Sequence, residues 1–159
     1  MIIRPAEAGD REAIWRILEP IIRAGETYAL PRDMPRDEAL AYWLAPAHEV
    51  FVAEDGGEIV GTYYLRENEK AGAAVANCGY MTAPAAFGRG IARAMCAHSL
   101  AHAKERGFSA MRFNFVVATN ARAVKLWQSM GFEIVERLSD AFGHPKLGAV
   151  DALVMQRAL

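Results

Sequence analysis

The segment that most constrains the fold is "HEVFVAEDGGEIVGTYYLREN", in which two runs rich in β-branched and aromatic residues meet at Asp55-Gly56-Gly57. An Asp-Gly-Gly sequence between two such runs is a strong signal of a tight β-hairpin. A third β-rich run follows at Ala73–Ala83, so the centre of the chain predicts three consecutive antiparallel strands. Pro84 ends this run, because proline cannot donate a main-chain hydrogen bond to a neighbouring strand.

Helical patterns flank this strand region. Before it, after a short strand in "MIIRPA", Arg11–Arg23 carries isoleucine and leucine at helical spacing, and Arg36–Leu44 predicts a second helix. After it, a long helix ends near Arg106, and "SAMRFNFVV", "NARAVKLWQSMGF", "FEIVERLSD" and "VDALVMQRAL" predict a strand, a helix and two strands. The strands that flank the long helix should be parallel and joined by a right-handed crossover. We therefore predict a mixed α/β sheet in one domain, residues 1–159.

Composition narrows the functional classes. The formal net charge of −1 gives no overall attraction to nucleic acid or to an anionic membrane. No apolar run approaches the roughly 20 residues of a membrane span, and the first residues, "MIIRPAEAGDREAIW", contain no signal-peptide h-region. The two cysteines have no CxxC spacing, and His98 and His102, four apart, have no evident third ligand. We expect a cytoplasmic, reduced protein with no metal and no nucleic-acid or membrane partner.

A glycine-rich segment, "APAAFGRGIARAMC", stands at the start of the predicted long helix. The unpaired N–H groups of a helix N-terminus bind anions, and Gly88 and Gly90 would let a ligand approach the main chain closely. Arg89 and Arg93 add positive charge there. The spacing fits neither a P-loop nor a dinucleotide fingerprint. The segment predicts an anion site, although alone it fits a plain glycine-rich helix start equally well.

Two segments together resemble the GNAT family of acetyl-CoA-dependent N-acetyltransferases, over nearly the whole chain. "TAPAAFGRGIA" is similar to the family's pyrophosphate-binding motif, and "NARAVKLWQSMGF" is similar to its second motif, further along the chain. The resemblance implies about seven mixed strands, splayed between the fourth and the fifth and flanked by about four helices, with acetyl-CoA as co-substrate. The residues it implies for coenzyme A binding are Met81, Thr82, Ala83, Phe87, Gly88, Arg89, Gly90, Ile91, Ala92, Asn120 and Trp127.

Two positions depart from the family pattern. Phe87 stands where the family usually has arginine or glutamine, so one side-chain contribution is lost while the main-chain amides remain. Trp127 stands where many relatives carry a tyrosine proposed to protonate the departing thiolate. An indole N–H donates a hydrogen bond but is no acid near neutral pH. That role is either absent or filled from elsewhere.

The catalytic residues are harder to assign. The resemblance implies direct attack of a free amine on the thioester, and a base or a water chain should take its proton, since alkyl amines are mostly protonated at pH 7. Glu26, in "AGETYALP", is the first candidate for contacting or deprotonating the amine, with an exposed loop carboxylate as the alternative. Tyr80 could join a proton relay and Tyr28 could shape the acceptor site; packing is the alternative for both. Cys78 is either a nucleophile or a small buried hydrophobe.

The resulting prediction is an enzyme that moves acetyl from acetyl-CoA to a primary amine of a small molecule, such as an amino acid, an analogue or a polyamine. The amine would attack directly in a ternary complex. The alternatives are a protein or peptide N-acetyltransferase and a non-catalytic acyl-CoA-binding sensor. The apolar "DALVMQRAL" segment would suit a homodimer interface.

Overall fold

The chain folds into a mixed sheet with helices on both faces, as seen in a computed structural model that describes residues 1–72 and 74–159. In these described parts the strands are β1 Ile2–Pro5, β2 Glu49–Asp55, β3 Glu58–Asn68, β4 Gly72–Thr82, β5 Ala110–Val117, β6 Glu133–His144 and β7 Gly148–Ala158. The helices are α1 Arg11–Ala24, α2 Arg36–Trp43, α3 Ile91–Glu105 and α4 Ala121–Ser129. Ala73, the first residue of the predicted third central strand, lies outside the described residues.

The order of strands in the sheet is β1-β2-β3-β4-β5-β7-β6. The predicted hairpin is confirmed: Asp55 pairs with Glu58, and Gly56 and Gly57 both take positive φ, as a type I′ hairpin turn requires. β4 and β5 are parallel across the α3 crossover, while the other pairs are antiparallel. The predicted mixed α/β class is therefore confirmed.

The closing hairpin of β6 and β7 is longer than the sequence pattern predicts, because both strands continue to the turn after His144. There Nδ1 of His144 accepts hydrogen bonds from the N–H groups of Lys146 and Leu147, at 3.1 and 3.2 Å. These bonds close the turn, so pairing extends to His144 and Gly148. The alternation of apolar and polar residues along a strand does not predict a side-chain cap of this kind.

The feature that positions the site is a fork between β4 and β5. These strands pair only at Val75–Ala110 and Ala76–Met111 and then separate. On its other edge β5 pairs with β7, with an irregularity between Phe113 and Val116. The splay implied by the family resemblance is present, and it leaves one edge of each strand without a neighbour beyond the fork.

Two apolar clusters hold the helices on opposite faces of the sheet. One packs α3 and α4 residues such as Met95 and Trp127 against the sheet, and the other packs Leu18 of α1 and Trp43 of α2. Asn120 begins α4 as predicted, since its Oδ1 accepts a hydrogen bond from the N–H of Ala123 at 3.4 Å. No helix among the described residues is long and apolar enough to cross a membrane.

Candidate active site

The fork opens into a cavity of about 780 Å³. We name its two regions by their walls. The glycine end is formed by the segment before α3 and by the first turn of α3. Its residues that line the cavity are Phe87, Gly88, Gly90, Ile91 and Ala92. The fork end consists of side chains near the point where β4 and β5 part, and these are Tyr28, Tyr42, Tyr64, Asn77 and Asn114.

The glycine end offers open main chain. Gly88 and Gly90 have φ of 81° and 79°, and nothing lies within 4 Å of a Cβ built on either residue. The first N–H groups of α3 have no partner within the helix and carry part of its positive dipole. This arrangement fits a phosphate or diphosphate group, which a side chain at either glycine would obstruct.

All the residues predicted to bind coenzyme A line the cavity except Ala83 and Arg89. The N–H of Ala83 donates to the carbonyl of Val60 on β3 at 2.8 Å, so it is not available to a ligand. The guanidinium of Arg89 pairs with the carboxylate of Asp55 at 2.5 Å, outside the cavity wall. The structure therefore corrects the assignment of Ala83, whose N–H is used within the sheet. The assignment of Arg89 concerns its main-chain amide, which the ion pair does not engage, and it stays a prediction.

The main chain of β4 presents hydrogen-bonding groups to the cavity at alternate residues. Since the N–H of Ala83 points to β3, alternation along the strand directs the N–H groups of Thr82 and Tyr80 to the opposite edge, beyond the fork. The carbonyl of Tyr80 faces that edge too, where it accepts a hydrogen bond from the Tyr28 hydroxyl at 2.9 Å. Met81 lines the cavity, but the same alternation turns its N–H towards β3.

The Tyr80 side chain is engaged with α3. Its hydroxyl lies 2.7 Å from Oγ of Ser99, which donates to the carbonyl of Cys96, so Tyr80 is the donor to Ser99. Burial raises the pKa of Tyr80 well above its ordinary value. Its ring packs 5.0 Å from the ring of Trp127, and both rings line the cavity. Tyr80 thus contributes a ring and a main-chain amide, while its hydroxyl is held by α3.

Glu26 lies beside the cavity and is not part of its wall. Its carboxylate pairs with Nζ of Lys146 in the β6–β7 turn at 3.1 Å, and this hydrogen bond lowers the pKa of Glu26. A carboxylate with a lowered pKa is a weaker base. Cys78 lines the cavity, but burial raises the pKa of its thiol, which opposes formation of a nucleophilic thiolate.

Sequence reasoning did not single out four residues of the fork end: Tyr42, Tyr64, Asn77 and Asn114. They come from four different elements, and no local motif links them. The hydroxyls of Tyr42 and Tyr64 are 3.0 Å apart. One signal did exist, because a glycine inside a strand often marks a close approach, and a Cβ at Gly79 would lie 2.5 Å from the Tyr64 ring.

Charge is distributed unevenly in the cavity. Among the described lining residues only Arg93 of α3 and Arg122 of α4 are charged, and no carboxylate lines the wall. The fork end is neutral, and burial raises the pKa of Tyr28, which therefore stays protonated as a hydrogen-bond donor. In the described residues no three His, Cys, Asp or Glu side chains come together in a metal-binding cluster.

Residues 12–132 match the acetyltransferase (GNAT) family model, so the chain belongs to this family, and it is an acyltransferase enzyme. The chain is 40% identical to a GCN5-related N-acetyltransferase from Kribbella flavida, over 99% of this chain and 97% of that one, with a TM-score of 0.94. It is 27% identical to N-acetyltransferase aca1 of Schizosaccharomyces pombe, over 85% of this chain and 73% of the relative.

A third likeness is to a phosphinothricin acetyltransferase of the GNAT superfamily from Sinorhizobium meliloti, solved in complex with acetyl-CoA. The two chains are 22% identical, with a TM-score of 0.86, over 99% of this chain and 88% of that one. At this identity the likeness shows the fold. The family resemblance and the GNAT fold predicted from the sequence are both confirmed.

Proposed function

We propose that this enzyme transfers acetyl from acetyl-CoA to a primary amine of a small molecule, by direct attack in a ternary complex. The observation that carries the proposal is the continuity of one cavity, from open helix-start amides to a neutral fork end. Between them, Tyr80 and Thr82 direct main-chain N–H groups to the unpaired edge of β4. An acyl-CoA and an acceptor can therefore meet inside the fork.

The glycine end suits the diphosphate of coenzyme A. Gly88 and Gly90 leave room for it, and Arg93 and Arg122 supply the positive charge of the cavity wall. The amide of Thr82 would bind the pantetheine arm in the manner of a neighbouring strand. Asn120 and Trp127 line the same wall, from the N-cap and the last turn of α4. Phe87, which is 52% exposed, would contribute through its main chain.

The reaction needs a hydrogen-bond donor that stabilises the oxyanion and a group that removes the proton of the amine. We assign the first role to the N–H of Tyr80, a main-chain donor fixed by the sheet. The Tyr28 hydroxyl donates to the Tyr80 carbonyl and keeps a lone pair, which can accept a hydrogen bond from the acceptor amine. No carboxylate lines the described wall, so we assign proton removal to water at the fork end.

A small acceptor is favoured over a protein or a peptide. The loop between α1 and α2 is tied across the cavity by the bond from Tyr28 to Tyr80, and a peptide groove would need this loop to open. A homodimer built on the C-terminal strands and a cytoplasmic location remain predictions.

The test combines two assays on the purified protein. We expect acetyl-CoA to raise the melting temperature, and one member of a panel of amino acids, amino-acid analogues, polyamines and short peptides to release free thiol. Stabilisation by acetyl-CoA with no thiol release from any amine would support the sensor alternative. Thiol release with peptides alone would support the protein N-acetyltransferase.

A further inference from the structure

A buried asparagine on β3 is hydrogen-bonded to β5. Asn68, at the end of β3, is 1% exposed, and its carboxamide reaches β5. Its Nδ2 donates to the carbonyl of Arg112 and to Oδ1 of Asn114, both at 3.0 Å. Its Oδ1 accepts from the N–H of Lys70 at 3.1 Å and from Nδ2 of Asn114 at 3.3 Å. All four hydrogen-bonding positions of this carboxamide are therefore used.

The main-chain partners leave Asn68 only one orientation. The Arg112 carbonyl accepts and needs Nδ2 beside it, whereas the Lys70 N–H donates and needs Oδ1. A flipped Asn68 would place like groups together at both contacts. Because Asn68 cannot flip, Asn114 must direct its Oδ1 to Nδ2 of Asn68 and its Nδ2 to Oδ1 of Asn68. The orientation of Asn114 is thus set by a residue that does not line the cavity.

Asn114 keeps hydrogen-bonding capacity for a ligand. It is half-buried and lines the cavity, and after its two bonds to Asn68 it retains one N–H and one lone pair. On the other arm of the fork, Asn77 also lines the cavity, and its carboxamide makes no hydrogen bond to any residue that the structure describes. Two neutral carboxamides therefore stand on opposite arms, next to the point where β4 and β5 part.

We propose that Asn68 is a positioning residue that fixes Asn114 for acceptor recognition, and that the acceptor is bound through neutral amides and is therefore an amino acid or an analogue. This inference rests on the proposed acetyltransferase function. A carboxylate or carbonyl oxygen on the acceptor can accept hydrogen bonds from Asn77 and Asn114. A carboxylate is paired by such charge-assisted hydrogen bonds, whereas the further ammonium groups of a polyamine would meet no carboxylate in the described wall and would be costly to desolvate.

The first experiment is a double-mutant cycle with Asn68→Ala, Asn114→Ala and the double variant, assayed with the best small acceptor. Each single change should raise the acceptor KM about tenfold, the size expected for a lost hydrogen bond. The KM for acetyl-CoA and its thermal shift should stay unchanged. The double variant should be no worse than the worse single variant, because Asn68 acts through Asn114. The proposal would be overturned if the increase in acceptor KM of the double variant equals the product of the two single increases. It would also be overturned if either single variant leaves the acceptor KM unchanged.

A second variant covers the case in which Asn68→Ala does not fold. Asn68→Leu keeps the approximate size of the side chain and leaves no cavity, but it makes no hydrogen bond to Asn114 and should raise the acceptor KM by a similar factor. If Asn68→Leu leaves the acceptor KM unchanged, Asn68 is only structural. The matched control is Gln128→Ala, which removes an exposed carboxamide on α4 and should change neither KM.

The acceptor class has its own readout. Asn77→Asp places a carboxylate in the fork end without removing any side-chain bond that the structure describes. The ratio of kcat/KM for a polyamine to that for an amino acid should rise at least about tenfold, as an ion pair forms. A wild-type enzyme that already prefers polyamines, or no change in this ratio, would overturn the assignment. No thiol release by wild-type protein with any amine would instead overturn the proposed function.

Discussion

The two ends of the cavity are built by different means. The glycine end comes from one continuous segment, Phe87–Ala92, and offers main-chain groups and open space. The fork end is assembled from the α1–α2 loop, α2, β3, β4 and β5, and it offers the side chains of tyrosines and asparagines. The same cavity therefore has one wall specified locally and another specified by tertiary contacts.

This difference explains which substitutions each end tolerates. Main-chain binding needs only the right backbone conformation, so we expect Phe87, in place of the family's arginine or glutamine, to leave anion binding intact. Side-chain recognition depends on the identity and orientation of each group. We expect the glycine end to serve one ligand class and the fork end to set the acceptor, and four substitutions test that division.

The largest effect should follow Gly90→Val. Gly90 has φ of 79°, where a β-branched residue is strained, and its Cβ would occupy the open space over the helix start. We expect kcat/KM for acetyl-CoA to fall at least about hundredfold, measured by thiol release. Gly107→Val is the matched control, because Gly107 has φ of 88° and equally open space at the far end of α3. An equal loss in both variants would mean that strain alone is responsible.

The next largest effect should follow Gly79→Ala at the fork end. The added Cβ would lie 2.5 Å from the Tyr64 ring, which is held between the Tyr42 hydroxyl and the stacked ring of His48. Because this ring cannot move freely, we expect the free energy of unfolding to fall by about 1–3 kcal/mol. Urea unfolding measures it. Gly9→Ala is the control, since its Cβ would meet no atom within 4 Å, and an equal loss there would contradict the clash.

A smaller effect should follow Tyr28→Phe. This change removes the donor to the Tyr80 carbonyl, a hydrogen bond worth about 1 kcal/mol, and we expect acceptor kcat/KM to fall about fivefold. Saturation with acetyl-CoA should be unaffected. Tyr63→Phe is the comparison, because it removes a hydroxyl bonded to His98 outside the cavity wall and should leave acceptor kinetics unchanged. Equal kinetic losses in the two variants would remove Tyr28 from the acceptor site.

The smallest effect should follow Glu26→Gln. Since Lys146 lowers the pKa of Glu26, its carboxylate stays ionised to lower pH than an ordinary glutamate, so it cannot titrate near neutral pH. We expect kcat/KM to change less than about threefold, as for exposed ion pairs generally, and its pH profile to keep its shape. A large loss together with a missing limb in the pH profile would restore Glu26 as the general base.

The fold was predictable because its signals are local. The Asp55-Gly56-Gly57 turn, the apolar spacing in α1 and the Asn120 cap each act over a few residues, and the structure has all three. The open main chain of the glycine end could be predicted for the same reason, since Gly88 and Gly90 take positive φ within one short segment. Ala83 shows where a local pattern is not enough, because the partner of its N–H, the carbonyl of Val60, lies on another strand.

The sequence by itself determined the family, through two motifs, and the order of the elements, since hydrophobic spacing is a short-range property. It also predicted an anion site at Gly88 and Gly90. Only the tertiary structure decided which side chains face the acceptor. Asn68 and Asn114 are 46 residues apart, and Tyr28 and Tyr80 are 52 apart. Their contacts depend on strand register and on the fork between β4 and β5. No periodicity along the chain encodes which side chains will meet across such a fork.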